Sequence, residues 1–344
     1  MKAAIISLNF HPGHISHAIA SYRQCEELGY ETCLYMNPQF KPYVKDDLRF
    51  MGSDSPCPEV DLAIFMFPSQ KNLGQIFRFR RKRTKIVYIF HEPIESFKEY
   101  KESGYTNSQL VLERIKHWVS AFTVRLVDVV LLPSNKAVRY YGANKIYKNR
   151  NYHYFPLMYD DEREKRHTMM PRLYFGYIGT VASDHSFEEY LRFVEWAISN
   201  NRLEGMNFLI ATKSEFEVPE ALAKSSRVTI KKGTPMTDEE INAYYASTIV
   251  VWNAYARTTQ SGVLAKSFMF GTPALVMRKN LNEFTHDGEN VVAIDDNTNF
   301  EEIEAAVKKI HDNFDAFSSA SRKEFEKSFY YRVYNKRFDE IING

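Results

Sequence analysis

Short apolar runs rich in β-branched residues alternate with longer helical patterns, and this alternation occurs in two series along the 344 residues of the chain. Such alternation is typical of βαβ units, whose parallel strands are buried on both faces. In the first half, strands are predicted at residues 3–8, 32–36, 61–66, 85–90 and 127–132. The pattern therefore predicts an α/β fold built on a doubly wound parallel sheet.

The first series ends at residues 160–167, a charge-dense stretch without apolar periodicity, and a second series begins after Pro171. Its predicted strands are residues 173–178, 207–211, 227–231, 248–252 and 273–277. We therefore expect two Rossmann-like domains facing a cleft, at residues 1–160 and 171–321, joined by a linker at 161–170. A last helical stretch is predicted at residues 319–342.

Charge and cysteine content exclude several classes of protein. Lysine and arginine total 45 against 43 acidic residues, which argues against a dedicated nucleic-acid binder. The three cysteines are odd in number and form no CxxC, so neither a disulfide framework nor a zinc site is implied. No stretch approaches the roughly 18 apolar residues needed to span a bilayer. A cytoplasmic location fits best.

The segment from Gln260 through Ser261, Gly262 and Val263 forms a small turn that leads into a predicted helix, which Gly271 and Pro273 end. Amides at a helix start point outward, and the helix dipole adds partial positive charge there. A phosphate or diphosphate would be held at such a turn. The alternative interpretation is an ordinary helix with a serine cap and a glycine stop.

This turn, its helix and the Gly-Thr-Pro at residues 271–273 resemble the donor domain of GT-B glycosyltransferases, especially the retaining enzymes of the family 4 type. Other matches follow in the expected order: Tyr177-Ile178-Gly179-Thr180, residues 228–233, and His286-Asp287-Gly288-Glu289-Asn290. In the first half, His91-Glu92-Pro93 and Leu132-Pro133-Ser134 resemble the acceptor domain. The order and spacing of these segments are more specific than any single match. The resemblance also implies that the last helical stretch crosses back, so that residues 322–344 pack on the first domain.

The resemblance implies a role for each matching residue. A nucleotide-sugar donor would bind the second domain, at Gly179, Thr180, Gly233, Thr234, Pro235, Thr259, Gln260, Ser261, Gly262 and Val263. His91 would face the transferred sugar, and Glu92 is a candidate base for the acceptor hydroxyl. The alternative for His91 is a structural histidine that precedes a turn-setting proline. The loop with Gly13 and His14 would close over the acceptor or the phosphates. His11, His14 and His17 have no accompanying carboxylate cluster, so no metal is expected.

The sequence departs from the family at charged positions. Thr258 and Lys266 stand where the family has two glutamates, and an ammonium cannot accept hydrogen bonds from ribose hydroxyls. Thr180 and His185 stand where the family has an arginine and a lysine for the diphosphate. Arg257 and Lys266 are candidate replacements for that positive charge. The alternative for Lys266 is an ordinary solvated helix residue.

The segment from Arg78 to Lys85 has six cations in eight residues and could contact anionic lipid headgroups, although a solvated helix end is an equal alternative.

The leading interpretation is a metal-independent, retaining hexosyltransferase that moves a sugar from a nucleotide donor to a polysaccharide or lipid-linked glycan. It would need no cofactor and no nucleic acid, and it would lie in the cytoplasm or on the inner face of the membrane. Two alternatives remain: a non-catalytic glycan- or partner-binding subunit, and a nucleotide-sugar epimerase.

Overall fold

The computed structural model describes residues 1–91, 93–95, 97–102, 104–258 and 260–344. Two compact units divide the chain. The first comprises Met1–Lys101, Tyr105–Asp160 and Phe329–Gly344, and the second comprises Glu102–Gly104 and Asp161–Ser328.

The first unit contains a parallel sheet of seven strands in the order β3-β2-β1-β4-β5-β6-β7. The strands are β1 (Lys2–Ser7), β2 (Glu31–Met36), β3 (Phe50–Gly52), β4 (Leu62–Phe65), β5 (Lys85–Ile89), β6 (Val129–Leu132) and β7 (Tyr152–Tyr154). Helices connect them: α1 (Ile15–Glu27), α2 (Asn72–Arg81), α3 (Phe97–Glu102), α4 (Asn107–Val124) and α5 (Asn135–Ala143).

The second unit contains a parallel sheet of six strands in the order β10-β9-β8-β11-β12-β13. The strands are β8 (Tyr174–Ile178), β9 (Asn207–Ala211), β10 (Val228–Lys231), β11 (Thr248–Asn253), β12 (Ala274–Met277) and β13 (Val291–Ile294). Its helices are α6 (Lys165–Thr168), α7 (Phe187–Ser199), α8 (Glu220–Lys224), α9 (Asp238–Ser247), α10 (Gly262–Met269), α11 (Phe300–Asp312) and α12 (Phe314–Ser328). A final helix, α13 (Asn335–Asn343), belongs to the first unit.

Strand β1 illustrates why these apolar runs become central strands. Ala3 and Ile5 pack into one hydrophobic cluster, while Ala4 and Ile6 pack into another. Because successive side chains of a strand point to opposite faces, a continuous apolar run is buried only when helices cover both faces of its sheet. The predicted α/β class with two doubly wound sheets is confirmed. In each sheet the second and third strands of the chain lie on one side of the first strand, and the later strands lie on its other side. This strand order is the Rossmann arrangement.

The end of the chain packs on α1 of the first unit. Phe338 and Ile342 of α13 join the same apolar cluster as Ile19. The carboxylate of Glu27 accepts hydrogen bonds from Tyr331 Oη, Arg332 Nε and Asn335 Nδ2, each at 2.7 Å. Both apolar and polar contacts therefore hold the last residues against the first sheet.

The predicted helical stretch 319–342 is interrupted. Helix α12 ends at Ser328 and α13 begins at Asn335. Between them, Tyr159 N donates to Phe329 O at 2.9 Å and Tyr331 N donates to Tyr159 O at 3.1 Å. These tertiary hydrogen bonds compete with the helical ones, and periodicity in the sequence does not reveal them.

Residues 161–170, where the sequence predicts a linker, lie within the second unit. Glu162 Oε2 is 3.2 Å from Lys266 Nζ, and the Asp161 carboxylate pairs with the Arg322 guanidinium. Charged residues of this stretch thus form ion pairs within the second unit. None of the described helices is both long and apolar enough to cross a membrane.

We predict that Arg172→Met destabilises the second unit. The Arg172 guanidinium donates to the carbonyls of Tyr245 and Thr248, at 2.9 and 2.8 Å, and to Thr272 Oγ1 at 2.7 Å. Methionine leaves these acceptors without their donor, at a cost of about 2–4 kcal/mol in the free energy of unfolding. Urea denaturation followed by tryptophan fluorescence measures the change.

The matched control is Arg192→Met. Arg192 has a side chain that is 59% exposed and pairs with Glu189 on the same helix, so its loss should cost at most about 0.5 kcal/mol. Equal denaturation midpoints for the two variants would contradict a structural role for Arg172.

Candidate functional site

The centre of the second sheet is a topological switch point between β8 and β11. The chain leaves β8 toward β9 on one side and leaves β11 toward β12 on the other. Such reversals open a crevice beyond the carboxyl ends of the strands, where ligands of α/β proteins bind. Gly179 follows β8 at this point, and the segment after β11 leads into α10.

The start of α10 is fastened to the sheet by its capping residue. Ser261 Oγ accepts from Leu264 N at 3.3 Å, which caps the helix. The same Oγ accepts from Asn253 Nδ2 at 2.7 Å, and Asn253 is the last residue of β11. The first turn of α10, with the outward-directed amides of a helix start, is therefore held at the switch point.

Gly179 brings the end of β8 close to this turn. Its φ is +153°, and a Cβ there would lie 3.4 Å from Val263 Cγ2 and 4.0 Å from Tyr255 Oη. Only glycine adopts this backbone readily while leaving the space open. The structure thus brings together Gly179, Ser261 and Val263, three of the residues predicted at the phosphate site, with Gln260 and Gly262 adjoining them in sequence.

Thr180 lies next to an aromatic pair. The His185 ring stacks on the Tyr255 ring, with centroids 4.3 Å apart and 11° between the planes. His185 Nδ1 donates to the Thr180 carbonyl at 2.8 Å, and burial raises the pKa of Tyr255. These contacts hold the loop after β8 against the segment after β11.

The two cations predicted for the diphosphate both interact with carboxylates. Arg257 is 5% exposed, and its Nη1 is 3.5 Å from Asp184 Oδ2. Lys266 Nζ is 3.2 Å from Glu162 Oε2 and 3.6 Å from Asp238 Oδ1. Burial alone lowers the pKa of Lys266, but the two carboxylates outweigh it and raise that pKa. Lys266 is buried, so the alternative of a solvated residue is wrong.

Lys213 is a cation at this edge that the sequence interpretation missed. It follows β9, and burial lowers its pKa. Among the described residues no carboxylate pairs with it. Its neighbour Ser214 accepts from Val181 N at 3.2 Å, and Gly179 N donates to Ala211 O at 3.0 Å, so the loops after β8 and β9 run side by side. A lysine two residues after a predicted strand is the signal that could have identified it.

The residues predicted to border the nucleobase follow β10, two strands from β8. Gly233 has φ +78°, and the Glu215 carboxylate occupies the space that its Cβ would need. Lys232 Nζ lies 3.5 Å from that carboxylate, while Thr234 and Pro235 are exposed. The segment therefore lies at the same edge of the sheet as Gly179, but not next to it.

The first unit has its own switch point, between β1 and β4, where aromatic rings form a continuous stack. The centroids of His11 and His14 are 4.3 Å apart, those of His14 and Phe67 3.2 Å, and those of Phe67 and His91 4.2 Å. His11 and His14 follow β1, Phe67 follows β4, and His91 follows β5. Sequence analysis found His14 and His91 but not Phe67, which joins them.

His91 is a neutral ring in this stack. Burial, with a smaller effect from His17, lowers its pKa to about 3. Its Nε2 lies 2.9 Å from the Met66 carbonyl, and a carbonyl can only accept, so Nε2 carries the proton. Nδ1 is then the acceptor atom of the ring. At neutral pH His91 can therefore accept a hydrogen bond from a hydroxyl but cannot act as a cation.

The structure describes some of the remaining predicted residues and not others. Gly13 is exposed, and a Cβ there would lie 3.5 Å from His11 Nδ1. Glu92 and Thr259 lie outside the described residues. His17 is buried, with Nδ1 3.0 Å from the Met158 carbonyl, which is a structural arrangement. No group of three or more His, Cys, Asp or Glu able to hold a metal occurs in the described ranges.

Comparison with solved structures identifies the fold. Over 100% of its length the chain matches sucrose-phosphate synthase from Thermosynechococcus elongatus, with a TM-score of 0.73, 12% identity and 98% of that chain covered. HepE from Anabaena, solved with UDP-glucose, matches with a TM-score of 0.71, 12% identity and coverage of 100% of this chain and 99% of that one.

A glycosyltransferase from Rickettsia africae matches with a TM-score of 0.68 and 10% identity, covering 100% of this chain and 99% of that one. No protein-family profile and no curated protein matches the sequence. The chain has the GT-B fold, and these structural neighbours are glycosyltransferases.

We predict that His91 makes stability depend on pH between about 3 and 6.5. The unfolded chain takes up a proton on this ring near pH 6.5, whereas the folded chain does so only near pH 3. The free energy of unfolding therefore falls as the pH falls through this range, with a slope that approaches one proton. In thermal unfolding across this range, His91→Gln should reduce the slope. A slope unaltered in His91→Gln would contradict the neutral state of His91.

Proposed function

We propose that this protein transfers a sugar from a nucleotide-sugar donor, bound by the second unit, to a hydroxyl acceptor. The observation that carries the proposal is the first turn of α10, capped by Ser261, fastened to β11 through Asn253 and kept open by the missing side chain of Gly179. Backbone amides in this arrangement suit a diphosphate. Solved neighbours support it: HepE was obtained with UDP-glucose and an α-glucosyltransferase with UDP.

In this proposal the diphosphate lies against the α10 start, contacted by Thr259, Gln260, Ser261, Gly262 and Val263. Gly179 and Thr180 line the opposite side, at the end of β8. The nucleobase extends toward Gly233, Thr234 and Pro235, because β9 and β10 continue the same edge of the sheet. Amides that are already oriented stabilise the departing diphosphate without reorganisation.

The positive charge around the diphosphate comes in our proposal from Lys213 and Arg257 as well as from Lys266. Lys213 has no paired carboxylate among the described residues and is half-buried, so its ammonium gains most from an arriving anion. The charge of Lys266 is already compensated by Glu162 and Asp238, which limits its attraction for phosphate. Backbone amides and these cations would replace a metal ion, and no cofactor is proposed.

In the first unit we propose that His91 accepts a hydrogen bond from a sugar hydroxyl and that Glu92 is the base for the acceptor. Gly13 and His14 would contribute the loop on the acceptor side. By resemblance to the family 4 type, the reaction would retain the anomeric configuration and transfer a hexose. The acceptor would be a polysaccharide or a lipid-linked glycan.

We further propose a cytoplasmic location with peripheral contact at the inner face of the membrane. The three cysteines are free thiols, as is usual in a reducing compartment. The segment from Arg78 to Lys85 would attract anionic headgroups, which would bring the enzyme to a lipid-linked acceptor.

Turnover of labelled UDP-glucose, with parallel binding of UDP, ADP and GDP, tests the proposed function. Slow release of free labelled sugar, with UDP as the other product, supports a transferase. Conversion of the donor into an isomeric nucleotide sugar would indicate an epimerase. Absence of any nucleotide binding would indicate a non-catalytic subunit and contradict the proposal.

We predict that Gly179→Ala weakens UDP binding at least about tenfold, because a side chain at this strained φ pushes against Val263 and shifts the α10 turn. Isothermal titration calorimetry measures the affinity. Gly205→Ala is the matched control: Gly205 has φ +82° in the same unit, but its Cβ would meet no atom within 4 Å. Similar affinities for both variants would place the phosphate elsewhere.

We predict that Lys213→Ala weakens UDP binding about tenfold, since a charge-assisted hydrogen bond is lost. The effect on UMP should be smaller, because UMP lacks the second phosphate. Lys224→Ala removes an exposed lysine of the same unit, and the affinity should stay unchanged. If Lys213→Ala binds UDP like the unmodified protein, Lys213 does not contact the diphosphate.

A further inference from the structure

Helix α4 carries a row of large apolar side chains on its outer face. Val111, Ile115, Trp118 and Phe122 are between 47% and 63% exposed. Their spacing, four, three and four residues, places them on one stripe along the helix. Leu112, 52% exposed, lies beside this stripe. We call these five residues the outer face of α4.

The opposite side of α4 already supplies the contacts that hold the helix on its sheet. Leu110, His117, Ala121 and Val124 are buried. Ala121 and Val124 belong to the cluster that covers one face of the first sheet. The outer face therefore contributes nothing to that core, and exposure of so many large apolar groups in one row marks an interaction surface.

A strongly basic helix covers the same face of the first sheet as α4. Helix α2 packs into the same cluster through Ile76 and Phe79, and Arg80 Nη1 donates to the carbonyl of Leu126, just after α4, at 2.8 Å. Phe77 of α2 is 45% exposed. Exposed cations follow it: Arg78, Arg81 and Arg83, none of which pairs with a carboxylate among the described residues.

No acidic residue occurs between positions 71 and 90, so nothing within this segment compensates the charge. We propose that the outer face of α4 inserts into the headgroup region of an anionic bilayer while Arg78, Arg81 and Arg83, on α2 and just after it, contact the lipid phosphates. An apolar helix face flanked by arginines is the combination that binds such surfaces. Trp118 lies in the middle of the stripe, and tryptophan favours the membrane interface.

Charge favours a bilayer over a second copy of this chain. In a symmetric dimer through this face, the same surface of each partner meets the other. The arginines of both α2 helices would then approach one another without carboxylates from this segment to offset them. An anionic lipid surface instead supplies the opposite charge along the whole row.

This inference rests on the membrane contact in the proposed function, and it specifies which helix inserts. It does not depend on donor binding. The test is sedimentation of the full chain with vesicles of phosphatidylcholine alone or mixed with phosphatidylglycerol. We expect binding to the mixed vesicles, a blue shift of tryptophan fluorescence, and weaker binding as salt rises.

Two sets of variants separate the apolar and the charged contributions. The double variant Trp118→Ser, Phe122→Ser should lower vesicle affinity at least about tenfold and abolish the blue shift. The triple variant Arg78→Gln, Arg81→Gln, Arg83→Gln should lower it about a hundredfold and remove most of the salt dependence. Met169→Ser and Val333→Ser, at exposed apolar positions elsewhere, should bind as the unmodified chain does.

Three outcomes would overturn this proposal. They are absence of binding to the mixed vesicles, equal binding to vesicles of phosphatidylcholine alone, and a dimer in solution that the double variant dissociates. Thermal unfolding of the same samples shows whether each variant is folded, and UDP affinity is measured beside it. The UDP affinity keeps failure of the membrane surface distinct from failure of donor binding.

Discussion

The hydrogen bond from Asn253 to Ser261 joins the last residue of a central strand to the cap of the following helix. A helix start has outward-directed amides wherever it lies, so its position in the fold decides whether it can serve a ligand. This bond holds the α10 turn at the switch point of the second sheet, and Gly179 leaves the adjacent space open. The proposed donor site depends on these two features more than on any charged side chain.

At both candidate sites, the buried ionisable groups are either paired with an opposite charge or neutral. Lys266 and Arg257 are buried beside carboxylates, because a buried charge without a partner is costly. His91 avoids the same cost by remaining neutral. Backbone dipoles and the half-buried Lys213 are thus the groups most available to an incoming anion.

Much of the architecture could be predicted, because long apolar runs leave few alternatives to buried strands. Strand β9 has the predicted bounds, Asn207–Ala211, and α10 begins at the predicted Gly262. The short strands β3 and β7 lie at the edges of their sheet and had no comparable apolar signal. The charged residues at 161–170 suggested a solvent-exposed linker. They pair instead with residues far away in the sequence, and such ion pairs leave no local pattern.

By itself the sequence determined the α/β class, the two doubly wound sheets and the helix start with its serine cap, because these follow from periodicity and local hydrogen bonding. Only the tertiary structure decided that Lys266 meets Glu162, that Phe67 joins three histidines in a stack, and that the apolar stripe of α4 faces outward beside a basic helix. These arrangements join residues far apart in the chain. Their energies depend on distances that exist only after the strands have paired and the helices have packed.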